Sequence, residues 1–172
     1  MRTRTSLPIV ALLVAVSFPA SAAEPDADGA RSSAANRISG AWSTDGDVRP
    51  CGTSLPFAKV RNTLVFHDGG TVTENPRFPP PGVPNVYNVP GINQRSIGLG
   101  TWSFDPSAQQ YEMNLRFDWF VDGVYNGYQT VVRQITLSKD GDAFAGSVRT
   151  TRYDVNGGVI ADLCGSAVDE RL

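Results

Sequence analysis

Along residues 109–120 the apolar side chains fall on every second position, Tyr111, Met113, Leu115, Phe117 and Trp119, with Glu112, Asn114, Arg116 and Asp118 between them. Successive side chains of a β-strand point to opposite faces, so this alternation predicts a strand with one face in a core and the other in water. Val124–Ser138, Asp142–Asp154 and Val159–Val168 follow as further strand-like segments, separated by Asp122-Gly123, Asp140-Gly141 and Asn156-Gly157. Such dipeptides mark hairpins, because a tight primed turn needs positive φ at its centre. Upstream, Ser39–Ser43, Asn62–His67, Thr71–Glu74 and Leu99–Phe104 read as shorter strands. No stretch sustains a helical period. The pattern predicts an all-β fold, a single-domain antiparallel up-and-down barrel of about eight strands, since closure removes the edges that a meander of hairpins leaves open.

The turns also predict register. With Asp140-Gly141 at the centre of its turn, Leu137 faces Phe144, Ile135 faces Gly146, Arg133 faces Val148, Val131 faces Thr150 and Gln129 faces Arg152. A turn centred on Asn156-Gly157 sets Ala161 beside Arg152 and Leu163 beside Thr150. This face is apolar near Leu137 and Phe144 and becomes polar toward Gln129, Arg133 and Arg152, which predicts a packed plug at one end and a cup of mixed polarity at the other. A bulge near Asp122-Gly123 would change which face of Val124–Ser138 meets Leu115.

Composition changes the picture at the N-terminus. Arg2 and Arg4, the apolar run Leu7–Phe18 and Ala20-Ser21-Ala22 form a secretory signal pattern, so residues 1–22 are expected to be a signal peptide and the protein to be secreted or periplasmic. Residues 23–37 lack periodicity and aromatic residues and read as a disordered leader, with the barrel domain over residues 38–172. The formal charge of −2 is spread without long runs of one sign, which argues against a nucleic-acid partner, and no later apolar stretch is long enough for a membrane-spanning helix. Cys51 and Cys164 are the only cysteines. In an oxidising compartment they are expected to form one structural disulfide joining the two ends of the domain, as barrel closure would allow.

Gly40-Ala41-Trp42 on the first strand, with Arg171 at the end of the chain, resembles the calycin pattern of lipocalins, fatty-acid-binding proteins and avidins. There a Gly-x-Trp on strand one meets an arginine from the last strand. The resemblance implies barrel closure by a cation–π contact between Trp42 and Arg171, and an interior that binds small molecules.

Candidate chemistry is sparse. Arg133 and Arg152, if they face the cup, need a partner: a carboxylate such as Asp118 or Glu112, or the acidic group of a ligand. Gln129, Thr150, Tyr111 and Tyr125 would add hydrogen-bonding groups. Asn75–Ile97, dense in Pro, Gly and Asn, is long for a structureless connection. It is expected either to act as a lid over the mouth, with Phe78 and Tyr87 as its contacts, or to be a loop packed on the outside or mobile. His67, the sole histidine, has no second histidine to share a metal, so neither metal nor cofactor is expected. Glu112 and Asp118 sit roughly 20 Å apart along a strand, too far for a paired-carboxylate site. No catalytic motif occurs. The leading expectation is an exported barrel binding a small, partly apolar molecule, anionic if the arginines greet it. The alternatives are a barrel-type cyclase or isomerase, and a structural or interaction protein of the envelope with a filled core.

Overall fold

The computed structural model describes residues 34–55 and 57–172. The expected signal peptide and most of the expected leader lie outside them. The strands are β1 (Gly40–Pro50), β2 (Ala58–His67), β3 (Thr71–Pro76), β4 (Val83–Pro84), β5 (Ile92–Arg95), β6 (Gly98–Asp105), β7 (Gln110–Val121), β8 (Val124–Leu137), β9 (Ala143–Tyr153) and β10 (Val159–Arg171). Eight of them close an antiparallel barrel in the order β1-β2-β3-β6-β7-β8-β9-β10, and β10 returns to pair with β1 from Trp42↔Arg171 to Pro50↔Leu163. The fold class read from the sequence is the one observed.

The two remaining strands lie in the long connection, which is more ordered than its composition predicts. β4 and β5 form a small hairpin, and β5 pairs with Val121–Trp119 of β7, just beyond the stretch of β7 that pairs with β6. The connection therefore extends the sheet past the barrel's rim. Proline and glycine hide so short a hairpin from any periodicity argument.

The predicted register of β8 against β9 is observed pair for pair, from Gln129↔Arg152 to Leu137↔Phe144, as are Ala161↔Arg152 and Leu163↔Thr150. The turns that produce it are longer than two residues. Ser138 N donates to Ala143 O across the first at 2.8 Å, so Asp140-Gly141 occupies the centre of a four-residue loop and the symmetry of the pairing is unchanged. At the second, Asp154 N donates to Gly158 O at 2.8 Å, and a bulge between Val159 and Ala161 restores the register that a two-residue turn would have given. Asp122-Gly123 does form a two-residue turn, with φ of 49° and 79°. A bulge comes directly after it, between the pairs Phe120↔Tyr125 and Asp118↔Tyr128. Gly127 within it has φ of 94°, and a Cβ there would run into the Tyr153 carbonyl oxygen, so no other residue fits. The extra residue brings Gln129, Val131, Arg133 and Ile135 to the inside, where they lie opposite Phe117, Leu115, Met113 and Tyr111.

One end of the barrel is solid. Trp42 packs edge-on to Phe144 with ring centroids 4.7 Å apart, and Phe144 meets Phe66 at 5.8 Å. Trp102, in the second Gly-x-Trp of the chain, lies at the same end against Phe66 and Tyr111. A short 3-10 turn, Asn36–Ile38, caps this plug with Ile38 fully buried. The preceding backbone takes part, because Tyr111 Oη donates to the Ala34 carbonyl at 3.0 Å. Arg171 locks the cap. Its guanidinium lies 4.2 Å from the Trp42 ring centre and donates to the carbonyls of Arg37, Ser39 and Gly141, while Trp42 Nε1 donates to Ile38 O at 2.8 Å. The stacking contributes roughly 0.5–2 kcal/mol, and the three carbonyls join the cap, the last strand and the β8–β9 turn.

Cys51 and Cys164 form a disulfide with Cα atoms 5.0 Å apart, at the opposite end of the β1–β10 seam from Arg171. The seam is thus held at both ends. Because the bond closes a loop with a sequence separation of 113 residues, the Cys51→Ser/Cys164→Ser variant is expected to lose up to about 4–5 kcal/mol of unfolding free energy, as chain entropy predicts for so long a loop. Urea unfolding of the two proteins checks this.

Candidate ligand cavity

Above the aromatic plug the inward residues become smaller. β1 supplies Thr44 and Val48, β8 supplies Val131, β9 supplies Val148 and Thr150, and β10 supplies Ala167. These leave a cavity of about 460 Å³, within the range that binds small molecules. Leu64, Met113 and Leu115 form its floor, and Phe117 and Trp119 line the β7 wall toward the mouth.

Two buried ion pairs border this space, one through Arg133 and one through Arg95 and Glu74. Arg133 donates from Nη1 and Nη2 to the two carboxylate oxygens of Asp169, at 3.1 and 2.5 Å, and Thr44 Oγ1 donates to the same carboxylate. Both charged side chains are almost wholly buried, at 3% and 0% exposure. Such a fork is the arrangement in which a desolvated pair recovers most of what burial costs. Higher in the barrel, Arg95 of β5 reaches inward to Glu74 of β3, whose other oxygen accepts from Asn62 Nδ2 at 2.6 Å. The Arg95 guanidinium lies 3.3 Å from the centre of the Phe117 ring. Burial pushes Arg95 below its ordinary pKa, and the Glu74 carboxylate works in the other direction.

The connection between β3 and β6 forms a roof on the β7–β9 side of the mouth. Phe78 and Tyr87 both stand edge-on to Trp119, with centroids 5.8 and 5.9 Å away. Trp119 Nε1 donates to Gln129 Oε1 at 2.8 Å, and Gln129 Nε2 donates to Thr150 Oγ1 and to Tyr87 Oη. Arg152 ties the roof down. It donates to the Val86 carbonyl, to Asn93 Oδ1 and to Asn126 Oδ1, and its guanidinium lies 4.4 Å from the Trp119 ring. Burial lowers its pKa, with Tyr87 opposing. Tyr87 itself has φ of 54° and ψ of 33°, a left-handed conformation disfavoured for a large side chain, and Asn85 and Asn88 on either side share it.

The residues singled out in the sequence are thus distributed unevenly. Arg133, Gln129, Thr150, Phe78 and Tyr87 line the cavity. Arg152 is fully buried but stands behind Trp119, outside the lining. Tyr111 belongs to the plug, and Tyr125 lies on the outer surface against Phe120. The carboxylate that meets Arg133 is Asp169. Glu112 instead accepts hydrogen bonds from Asn114 and Gln134 on the exposed face, and Asp118 pairs with Arg116 there. His67 is exposed, with Nε2 3.0 Å from Thr73 Oγ1.

Sequence reasoning misses Asp169, Glu74, Arg95 and Trp119 as residues of the site. Asp169 carries a usable signal: stepping by twos from Leu163 along the predicted register reaches it on the inward face. Glu74 is reached likewise from Val72. Arg95 has no such signal, because its hairpin has none.

Compared with protein-family models, with curated proteins and with solved structures, the chain matches none of them. Among the described residues no group of His, Cys, Asp and Glu gathers as a metal site, and no helix is long and apolar enough to cross a membrane.

Removing one member of the Arg133–Asp169 pair strands the other in the interior. Arg133→Met and Asp169→Leu are each expected to cost about 3–5 kcal/mol of stability, and the double variant far less than their sum. A double-mutant cycle by chemical denaturation measures the difference.

Proposed function

We propose that this protein is an exported small-molecule-binding barrel whose cavity takes a small, partly apolar ligand. The observation that carries this reading is the cavity itself, about 460 Å³ between a solid aromatic plug and an ordered roof. Its walls are mainly aliphatic and aromatic, and the inner polar groups, Gln129 and Thr150 among them, are fixed by hydrogen bonds. Lys59, Arg61 and Arg77 stand at the mouth, and the whole composition suits a ligand site. A cavity also argues against the alternative of a structural protein with a filled core. Export is supported by the N-terminal signal pattern and by the Cys51–Cys164 bond, which suits an oxidising compartment.

Calycin kinship is part of the proposal. Supporting it are the eight-stranded closed barrel and the contact of Trp42 in Gly40-Ala41-Trp42 with Arg171 of the last strand. Kinship of fold would not name a ligand. The roof is proposed as the lid, with Phe78 and Tyr87 closing on Trp119 and with Arg152 as its latch rather than as a ligand anchor.

Native mass spectrometry of protein purified from its own host is expected to show a retained small molecule. Val131→Phe, which fills the cavity from its wall, is expected to abolish that adduct and leave the circular dichroism spectrum unchanged. Absence of any adduct, together with failure of a panel of apolar dyes to bind, would remove the proposal.

A further inference from the structure

The charges lining the cavity bear on what it can hold, and the selectivity they imply rests on the ligand-binding reading above. Each of the two buried arginines that line the interior is matched by an anion. Lys59, Arg61 and Arg77 line only the exposed mouth, the first two beside Asp45 and Asp47 and Arg77 donating to Ser43 Oγ. Both Nη atoms of Arg133 are committed to Asp169, and its Nε is enclosed with no hydrogen-bond partner. Arg95 is committed to Glu74 and stacked on Phe117, and its Nε is enclosed in the same way. The anions are equally engaged. Glu74 takes Arg95 on one oxygen and Asn62 on the other, and Asp169 takes Arg133 and Thr44. Arg152, the one buried arginine facing no carboxylate among the described residues, gives its Nη atoms to three neutral oxygens behind Trp119.

An ionised group passing the mouth into the buried part of this space would lose its hydration and meet closed pairs, with no free countercharge at that depth to replace the water. An apolar group loses nothing by the same move and gains contact with Leu64, Met113, Leu115 and Phe117. We propose that the cavity selects an uncharged, mainly apolar molecule, and that the Glu74–Arg95 pair enforces this choice by neutralising the wall it lies on. The site is built to hold that pair. A Cβ at Gly98 would stand 2.7 Å from Glu74 Oε2 and 2.6 Å from Leu115 Cδ2, so the glycine makes the space in which the carboxylate sits. Glu74→Gln keeps the shape of the side chain and removes its charge, which leaves Arg95 facing the cavity without a countercharge.

The test compares decanol, decanoate and decylammonium, which share one chain and differ in head-group charge, by titration calorimetry on the disulfide-bonded protein at neutral pH. Decanol is expected to bind tightest, with each ionised homologue weaker on the order of tenfold. In Glu74→Gln the order of decanol and decanoate is expected to reverse. Decanoate or decylammonium binding the native protein as tightly as decanol would overturn the proposal, whether or not the variant folds. So would a decanoate preference that Arg77→Gln removes, since Arg77 stands exposed at the mouth, donating to Ser43 Oγ, and would then be holding an acid at the rim. If none of the three binds and the dye panel fails as well, it is the ligand-binding reading that falls, and the selectivity with it. Binding of the dyes but not of these probes overturns the selectivity alone.

Discussion

A sheet becomes a barrel only where its first strand meets its last, and here the whole interior depends on that seam. β1 and β10 share nine paired positions from Trp42↔Arg171 to Pro50↔Leu163. At one end Arg171 joins the ring of Trp42 to carbonyls from the cap and from the β8–β9 turn. At the other, Cys164 is bonded to Cys51. If the seam slipped by one residue, every inward side chain of one strand would turn outward. Asp169 would leave Arg133, and the plug would lose Trp42. Fixing the two ends of one ladder therefore fixes the position of charges several strands away.

Those charges explain why register matters so much. A lining of apolar residues alone fixes which face points inward but not which side chains must meet, since the hydrophobic effect is non-directional. The forked contact of Arg133 with Asp169 spans β8 and β10, and Glu74 with Arg95 spans β3 and the roof hairpin. Each pair is worth having only in its correct geometry and is costly out of it. Specificity of closure and neutrality of the interior are two results of the same pairs.

Much of this architecture is legible in the chain because antiparallel strands carry their own arithmetic. Alternation marks Gln109–Phe120, the dipeptides mark the turns, and symmetry about each turn gives the pairs of β8, β9 and β10 even where the turn type is different. Long ladders average over local irregularity: the extra turn residue beyond Asn156-Gly157 is cancelled by the bulge near Val159, and the pairs beyond are unaffected. Three features are not legible. The β4–β5 hairpin is too short for a period. The bulge at Gly127 can be foreseen near its turn but not located. The role of Arg152 is hidden because its partners are a backbone carbonyl and two asparagines far away in sequence, none of which has a charge to draw attention.

Whether an eight-stranded barrel is full or hollow is decided by the size of its inward side chains, since its bore is just wide enough for side chains to fill or to hold one small ligand. This chain makes both choices along one axis. Near the cap the inward set is Trp42, Phe66, Trp102, Tyr111 and Phe144, and the bore is closed by rings in edge contact. Toward the mouth β1, β2, β9 and β10 supply Val48, Val60, Val148 and Ala167, which pack among themselves on one side and leave the bore open beside Phe117 and Trp119 of β7. Replacing any one of them with a large residue would improve burial, so the open end is not where packing alone would lead. The roof reinforces the point. Phe78 and Tyr87 cover Trp119 instead of sinking into the space beside it, and Tyr87 is held there in a left-handed backbone conformation that a relaxed loop would avoid. The hollow is kept by the small side chains below and by the strained roof above, and the closed ion pairs between them keep it electrically quiet.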